Sequence, residues 1–181
     1  MSEDQIPIHY VCTHERAREL IEARKQFWVS NCGCRERRGK CERSRTDVCL
    51  MFVPGEFASG TGKKEVTFAD VMEIIREVED TRLVARPFWN ETRTETEGIC
   101  FCCDDCCGYF LNPEEKCDKG ELIAHTDFDV CTHCGACVDV CYFNARKLVA
   151  SEMTQDKELC YGCGLCAAVC PLECIEMVKR T

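Results

Sequence analysis

The sequence predicts an α+β fold in two parts: a mainly helical, cysteine-rich module over residues 1–120, then a domain over 121–181 in which one strand–loop–helix–strand unit occurs twice. Three observations predict it. The run Cys131-x2-Cys134-x2-Cys137-x3-Cys141 returns 29 residues later as Cys160-x2-Cys163-x2-Cys166-x3-Cys170-Pro171. The neighbours of the cysteines return with it: Asp127 aligns with Asp156, Val130 with Leu159, Gly135 with Gly164, Val140 with Val169 and Val149 with Val178. Such self-similarity marks a duplicated supersecondary unit. Upstream, two dense cysteine segments alternate with stretches of helical periodicity.

The 20 cysteines among 181 residues would mean disulfides in a small secreted protein. The amino terminus argues otherwise, since Met1 to Tyr10 has no basic head followed by an apolar stretch. No run approaches the roughly 18 apolar residues of a membrane span. The expectation is a protein of the reducing cytoplasm whose thiolates are held by metal. The formal charge of −9 is uneven: Glu15 to Arg45 carries ten Lys or Arg against five Glu, so this stretch is +5 and the remainder −14. An acidic surface suits docking to basic partner faces.

In chain order, Thr13 is placed to cap a helix running to about Val29, with Ala17, Leu20, Ile21, Arg24 and Phe27 or Trp28 on one face. It reads as a packing helix, and Cys12, His9 and His14 beside it as packed or solvated side chains rather than ligands. Asn31 to Cys41 holds Cys32, Cys34 and Cys41 among glycines and charges, followed by Cys49, and reads as a loop. Leu50 to Val66 reads as a connector. A second helix starts at Thr67, where Asp70 completes a Thr-x-x-Asp capping box. Val71, Ile74, Ile75 and Val78 give it an apolar face expected to lie against the first helix. The polar run Asn90 to Gly98 leads into Cys100, Cys102, Cys103, Cys106 and Cys107, five cysteines in eight residues. Adjacent cysteines point in different directions in any regular backbone, so a single cluster would leave some unused.

The two carboxy-terminal runs are iron–sulfur ligand sets. Three thiolates on one tight loop cap three corners of a small iron–sulfur cube, and the fourth comes from elsewhere. Gly135 and Gly164 sit where the backbone must approach a cluster closely. From about residue 123 to 180 the sequence resembles the bacterial-type two-[4Fe-4S] ferredoxins. The resemblance implies a ferredoxin-like fold, one-electron carriage, and exchanged fourth ligands. Cys131, Cys134, Cys137 and Cys170 would hold one cluster, and Cys160, Cys163, Cys166 and Cys141 the other. One departure is Tyr142, which stands where Pro171 stands in the second run.

The amino-terminal half, with Cys32-x-Cys34-Arg35, Cys41-x7-Cys49-Leu50 and Ile99 to Cys107, resembles a broader family of anaerobe iron–sulfur proteins that place an extra iron–sulfur module beside a ferredoxin. The nine dense cysteines fit one further [4Fe-4S] cluster, two cubes or a larger assembly, or structural zinc, although zinc favours paired Cys-x2-Cys spacings. Cys174, aligned with Ala145, reads as a small buried filler, and Cys117 is left open. The basic loop Arg35 to Arg45 reads as raising the potential of a nearby cluster, with a docking patch or a solvated loop as alternatives. An acidic total and the lack of aromatic residues among the arginines argue against nucleic acid. The expected function is electron relay to or from a redox protein or catalytic oxidoreductase subunit. Two alternatives are a reductive enzyme fed by the carboxy-terminal clusters, against which stands the absence of recognisable acid–base machinery, and a metal-stabilised docking platform.

Overall fold

A computed structural model describes residues 7–55, 58–112 and 115–180. The amino-terminal part is built on a five-stranded antiparallel sheet rather than on helices, which corrects the mainly helical expectation. In chain order come α1 (His14–Glu22), β1 (Phe27–Ser30), α2 (Gly33–Arg38), β2 (Cys49–Met51), β3 (Lys64–Val66), α3 (Phe68–Asp80), β4 (Val84–Trp89), β5 (Thr96–Cys102) and α4 (Gly108–Leu111). The strands lie in the order β3-β1-β2-β5-β4.

The difference has a local cause. Thr13 caps α1 as expected, its side chain accepting from the Arg16 N–H, but the helix stops at Glu22. Phe27 and Val29 are buried at a spacing of two, the period of a strand, where a helical wheel also found a match. Asn31 to Cys41 is likewise not all loop, because α2 occupies its middle. The expected connector from Leu50 to Val66 contains most of β2 and all of β3, strands of three residues each and too short to show a pattern. Gly98, the last residue of the polar run, lies inside β5, where a Cβ would come within 2.3 Å of the Leu50 carbonyl and 2.4 Å of the Phe88 ring. It is there for close approach of neighbouring strands.

One face of the sheet presents Phe27, Val29, Leu50, Ala85, Ile99 and Phe101 to a core shared with Ala17 and Ile21 of α1 and Val71, Ile74, Ile75 and Val78 of α3. The capping box at Thr67 and Asp70 forms as expected. Arg18 of α1 grips Glu79 of α3 through both carboxylate oxygens, at 2.8 and 2.6 Å. The alternate residues of β4 and β5, namely Arg86, Cys100 and Cys102, point to the other face.

The carboxy-terminal part comprises β6 (Leu122–Thr126), α5 (Ala136–Asp139), β7 (Arg146–Val149), β8 (Glu152–Gln155), α6 (Leu165–Ala168) and β9 (Ile175–Lys179). The duplication is visible in the backbone: left-handed residues recur at the repeat offset, His133 with Gly162, Gly135 with Gly164, and Asn144 with Glu173. The units are interlocked, since β6 pairs with β9 and β7 with β8. The turn joining β7 to β8 places Ala150 at φ 50° and Ser151 at φ 70°. A two-residue hairpin turn with both central residues left-handed suits Asn-Gly, and non-glycine residues pay strain there. The pair Ala150→Asn with Ser151→Gly is therefore expected to stabilise the fold by about 1 kcal/mol, seen as a higher midpoint in anaerobic denaturant titration.

Candidate metal centres

Two cavities of nearly equal size lie in the carboxy-terminal part. One is lined by Cys131, Cys134, Cys137 and Cys170 together with Pro171, Met153 and Cys174. The other is lined by Cys141, Cys160, Cys163 and Cys166 with Phe143, Tyr161 and Arg146. Each cavity thus gathers three cysteines of one run and the last cysteine of the other. Helices α5 and α6 pack on each other, and the cysteine just beyond each helix reaches the loop of the opposite unit. The cavities suit the chemistry of their donors. Burial pushes the Cys163 thiol up to about 12 and raises Cys166 as well, with Arg146 opposing the shift at Cys166. Coordination by a metal is what turns such thiols into thiolates. The His133 N–H points at the Cys131 sulfur, 3.4 Å away.

Arg146 is 3% exposed. Its guanidinium donates to Thr126 Oγ1 at 3.1 Å, Gln155 Oε1 at 3.2 Å and Cys137 Sγ at 3.8 Å, and it lies beside the Cys166 sulfur. Among the described residues no carboxylate pairs with it. A guanidinium cannot shed its proton, so its burial calls for a nearby anion. The sulfurs of the two cavities are the groups within reach.

The nine dense amino-terminal cysteines separate into three sets. The first forms where Cys102 ends β5, Cys107 precedes α4, Cys34 lies in α2 and Cys32 precedes α2. Cys107 and Cys32 both lie beside Cys34, and Cys107 lies beside Cys102, without the close gathering of sulfurs seen in the third set below. Those contacts, together with the Gly108 N–H at 3.5 Å and Arg37 at 3.4 Å, hold the Cys34 thiol well below its ordinary range. Cys102 is lowered to about 7, by the Cys107 contact first and then, against burial, by Arg86. Arg86 is 1% exposed and reaches Cys107 at 3.4 Å, Cys102 at 3.6 Å and Glu115 at 3.3 Å, while its guanidinium carbon lies 4.1 Å above the Tyr109 ring.

The second set is Cys49 and Cys100, side by side on β2 and β5. The Cys100 thiol and the hydroxyls of Ser59 and Ser30 lower Cys49 to about 6. The third set is Cys41, Cys103 and Cys106, whose sulfurs all lie within 4.8 Å of one another. The adjacent cysteines do point apart: Cys102 and Cys107 belong to the first set, Cys103 and Cys106 to the third. Cys12 sits in the apolar core with its thiol pushed up to about 12 by burial, and His14 bonds the Leu83 carbonyl at 2.7 Å, both as packing groups.

The basic loop resolves into separate roles. Arg35 turns inward, 1% exposed, bonding the carbonyls of Arg45 and Phe101 and lying beside Cys32, Cys41 and Cys103. Arg38, Lys40, Arg43 and Arg45 pair with surface carboxylates. Sequence reasoning passed over Arg86 and Arg146. Their signal was a lone arginine in an otherwise apolar strand, Val84-Ala85-Arg86-Pro87-Phe88, and at the start of β7. It also left Cys117 open, which is buried against Arg86. Cys174 is buried as expected, but its sulfur lies 3.4 Å from that of Cys170, in the wall of the first cavity.

Two interlocked four-cysteine cavities joined by a buried cation define an iron–sulfur domain of the ferredoxin type. A family model described as a 4Fe-4S dicluster domain matches residues 130–174, which contain all eight of those cysteines. No curated protein matches the chain. Among the described residues no helix is long and apolar enough to cross a membrane.

Proposed function

We propose that the chain is an electron-relay protein or subunit of two modules, residues 1–120 and 121–181. The eight carboxy-terminal cysteines would hold two [4Fe-4S] clusters, and Cys32, Cys34, Cys102 and Cys107 a third. Such clusters supply reversible one-electron chemistry. The residues of this chain bind them, fix their spacing and set the charge around them.

One observation carries the reading. The first amino-terminal set and the second cavity share a single aromatic seam. Tyr109, two residues after Cys107, lies under Arg86 and meets Phe143 at 6.3 Å and Tyr161 at 6.1 Å. Phe143 stacks on Tyr161 at 4.5 Å, and both rings line the second cavity. Tyr142, in the place of the missing proline, packs on Phe110 at 5.7 Å and under Arg43 at 5.2 Å. The departure from the repeat thus serves the junction of the two parts. The first cavity faces outward, with Cys134 exposed and with exposed Val130, Leu148 and Leu172 nearby. A redox partner would dock there, and electrons would run between it and the amino-terminal set through both carboxy-terminal clusters.

Iron and sulfide analysis of anaerobically purified protein tests this. About twelve iron atoms per chain are expected from three four-iron clusters, falling to about eight in Cys107→Ser with the two ferredoxin-type electron spin resonance signals retained. A value near eight in the unaltered protein would remove the third cluster and with it the relay.

A further inference from the structure

We propose that Cys41, Cys103 and Cys106 hold a single zinc ion, separate from every iron–sulfur cluster. The three sulfurs form a closed triangle: Cys41 to Cys103 is 3.7 Å, Cys103 to Cys106 is 3.4 Å and Cys106 to Cys41 is 3.5 Å. Zinc binds thiolate sulfur at about 2.3 Å in a tetrahedron, which sets its sulfurs about 3.8 Å apart. An iron–sulfur cube places each thiolate on a different iron atom, so its sulfurs stand further apart around a core. The eight carboxy-terminal cysteines follow that second pattern: they line two cavities, four to each, and are not among the cysteines whose sulfurs all lie within 4.8 Å of one another among the described residues. The triangle converges on one point.

Local structure builds the triangle. Cys103-Asp104-Asp105-Cys106 is a turn closed by the Cys107 N–H on the Cys103 carbonyl, which brings two sulfurs together. Cys41 arrives from the loop after α2, fastened when the Glu42 N–H donates to Asp105 Oδ2 at 2.9 Å. Asp105 lies beside the Cys41 sulfur, so its carboxylate, or a water it orients, is placed to complete the tetrahedron. Charge is consistent with the geometry. Arg35 is buried beside Cys32 of the first set and beside Cys41 and Cys103 of the triangle, no carboxylate pairs with it among the described residues, and its Nε has no partner. Three thiolates and one divalent ion sum to −1, which the buried guanidinium balances when water is the fourth ligand and offsets by half when the Asp105 carboxylate is. Soft sulfur donors in a tetrahedral set select zinc among common divalent ions.

The proposal stands apart from the third cluster, because it concerns different cysteines and a different metal. Elemental analysis of the full chain, purified anaerobically, is expected to give one zinc per chain beside the iron. Cys41→Ser and Cys106→Ser should each lose that zinc while iron, sulfide and the cluster resonance signals stay at the unaltered level, and those signals report that the fold survives. Asp105→Asn, a milder change, should weaken zinc binding about tenfold against a competing chelator. Cobalt(II) supplied in place of zinc should give thiolate charge-transfer absorption that is absent from Cys41→Ser. Loss of about four iron atoms in Cys41→Ser would make these cysteines cluster ligands and overturn the proposal. So would an unaltered protein with no zinc, or with two of these thiols joined as a disulfide.

Discussion

Cys137→Ser is expected to remove about four iron atoms per chain, the content of one [4Fe-4S] cluster, and to leave the second ferredoxin-type cluster near its original potential. Cys137 is 7% exposed, lines the first cavity and receives Arg146 at 3.8 Å, so its loss opens a corner that water cannot fill with a soft donor. The sharper comparison is Cys141→Ser. Cys141 belongs to the first run, yet it lines the second cavity, so this variant should strike the other cluster. Redox titration followed by electron spin resonance separates the two. Loss of the same cluster in both variants would overturn the exchanged pairing. Cys170→Ser should be milder, because the Cys174 sulfur lies only 3.4 Å from that of Cys170, within the same cavity wall. Adding Cys174→Ala should then bring the full loss.

The duplicated part was legible because its spacing is dictated by chemistry that acts locally. Three cysteines on one loop and a left-handed glycine before a short helix are constraints within ten residues, and the repeat displays them twice. The amino-terminal part was legible only where a helix was long enough to show its period and its cap, as at Thr67 to Asp80. Its sheet was not, because β2 and β3 have three residues each and their pairing partners lie far along the chain. The sorting of the dense cysteines was half visible. That neighbours such as Cys102 and Cys103 must diverge follows from any regular backbone. Which partners each would meet depends on where α2 lands against β5, a tertiary fact. Arg86 and Arg146 were missed because a lone arginine in an apolar strand carries no local sign of what will balance it.

Arg146→Leu is expected to lower the reduction potentials of both ferredoxin-type clusters together, by about 50–100 mV. The guanidinium bonds the Cys137 sulfur in the first cavity, lies beside the Cys166 sulfur in the second, and is held in place by Thr126 and Gln155. Reduction adds one negative charge to a cluster. A unit positive charge about 6 Å away, at an effective dielectric of about 20, favours that added charge by about 3 kcal/mol. A tenfold change in a one-electron equilibrium corresponds to about 59 mV, so the full Coulomb term is on the order of 100 mV and relaxation reduces it. Leucine removes the charge while filling much of the space, and the sign is therefore negative at both sites. Arg146→Lys keeps the charge but loses the planar fork that spans two sulfurs, so it should restore most of the potential at one cluster and less at the other. A structural role alone would lower cluster occupancy without moving the potentials of the clusters that remain. Spectroelectrochemical titration distinguishes these outcomes, and a shift confined to one cluster in Arg146→Leu would show that the arginine serves that cluster alone.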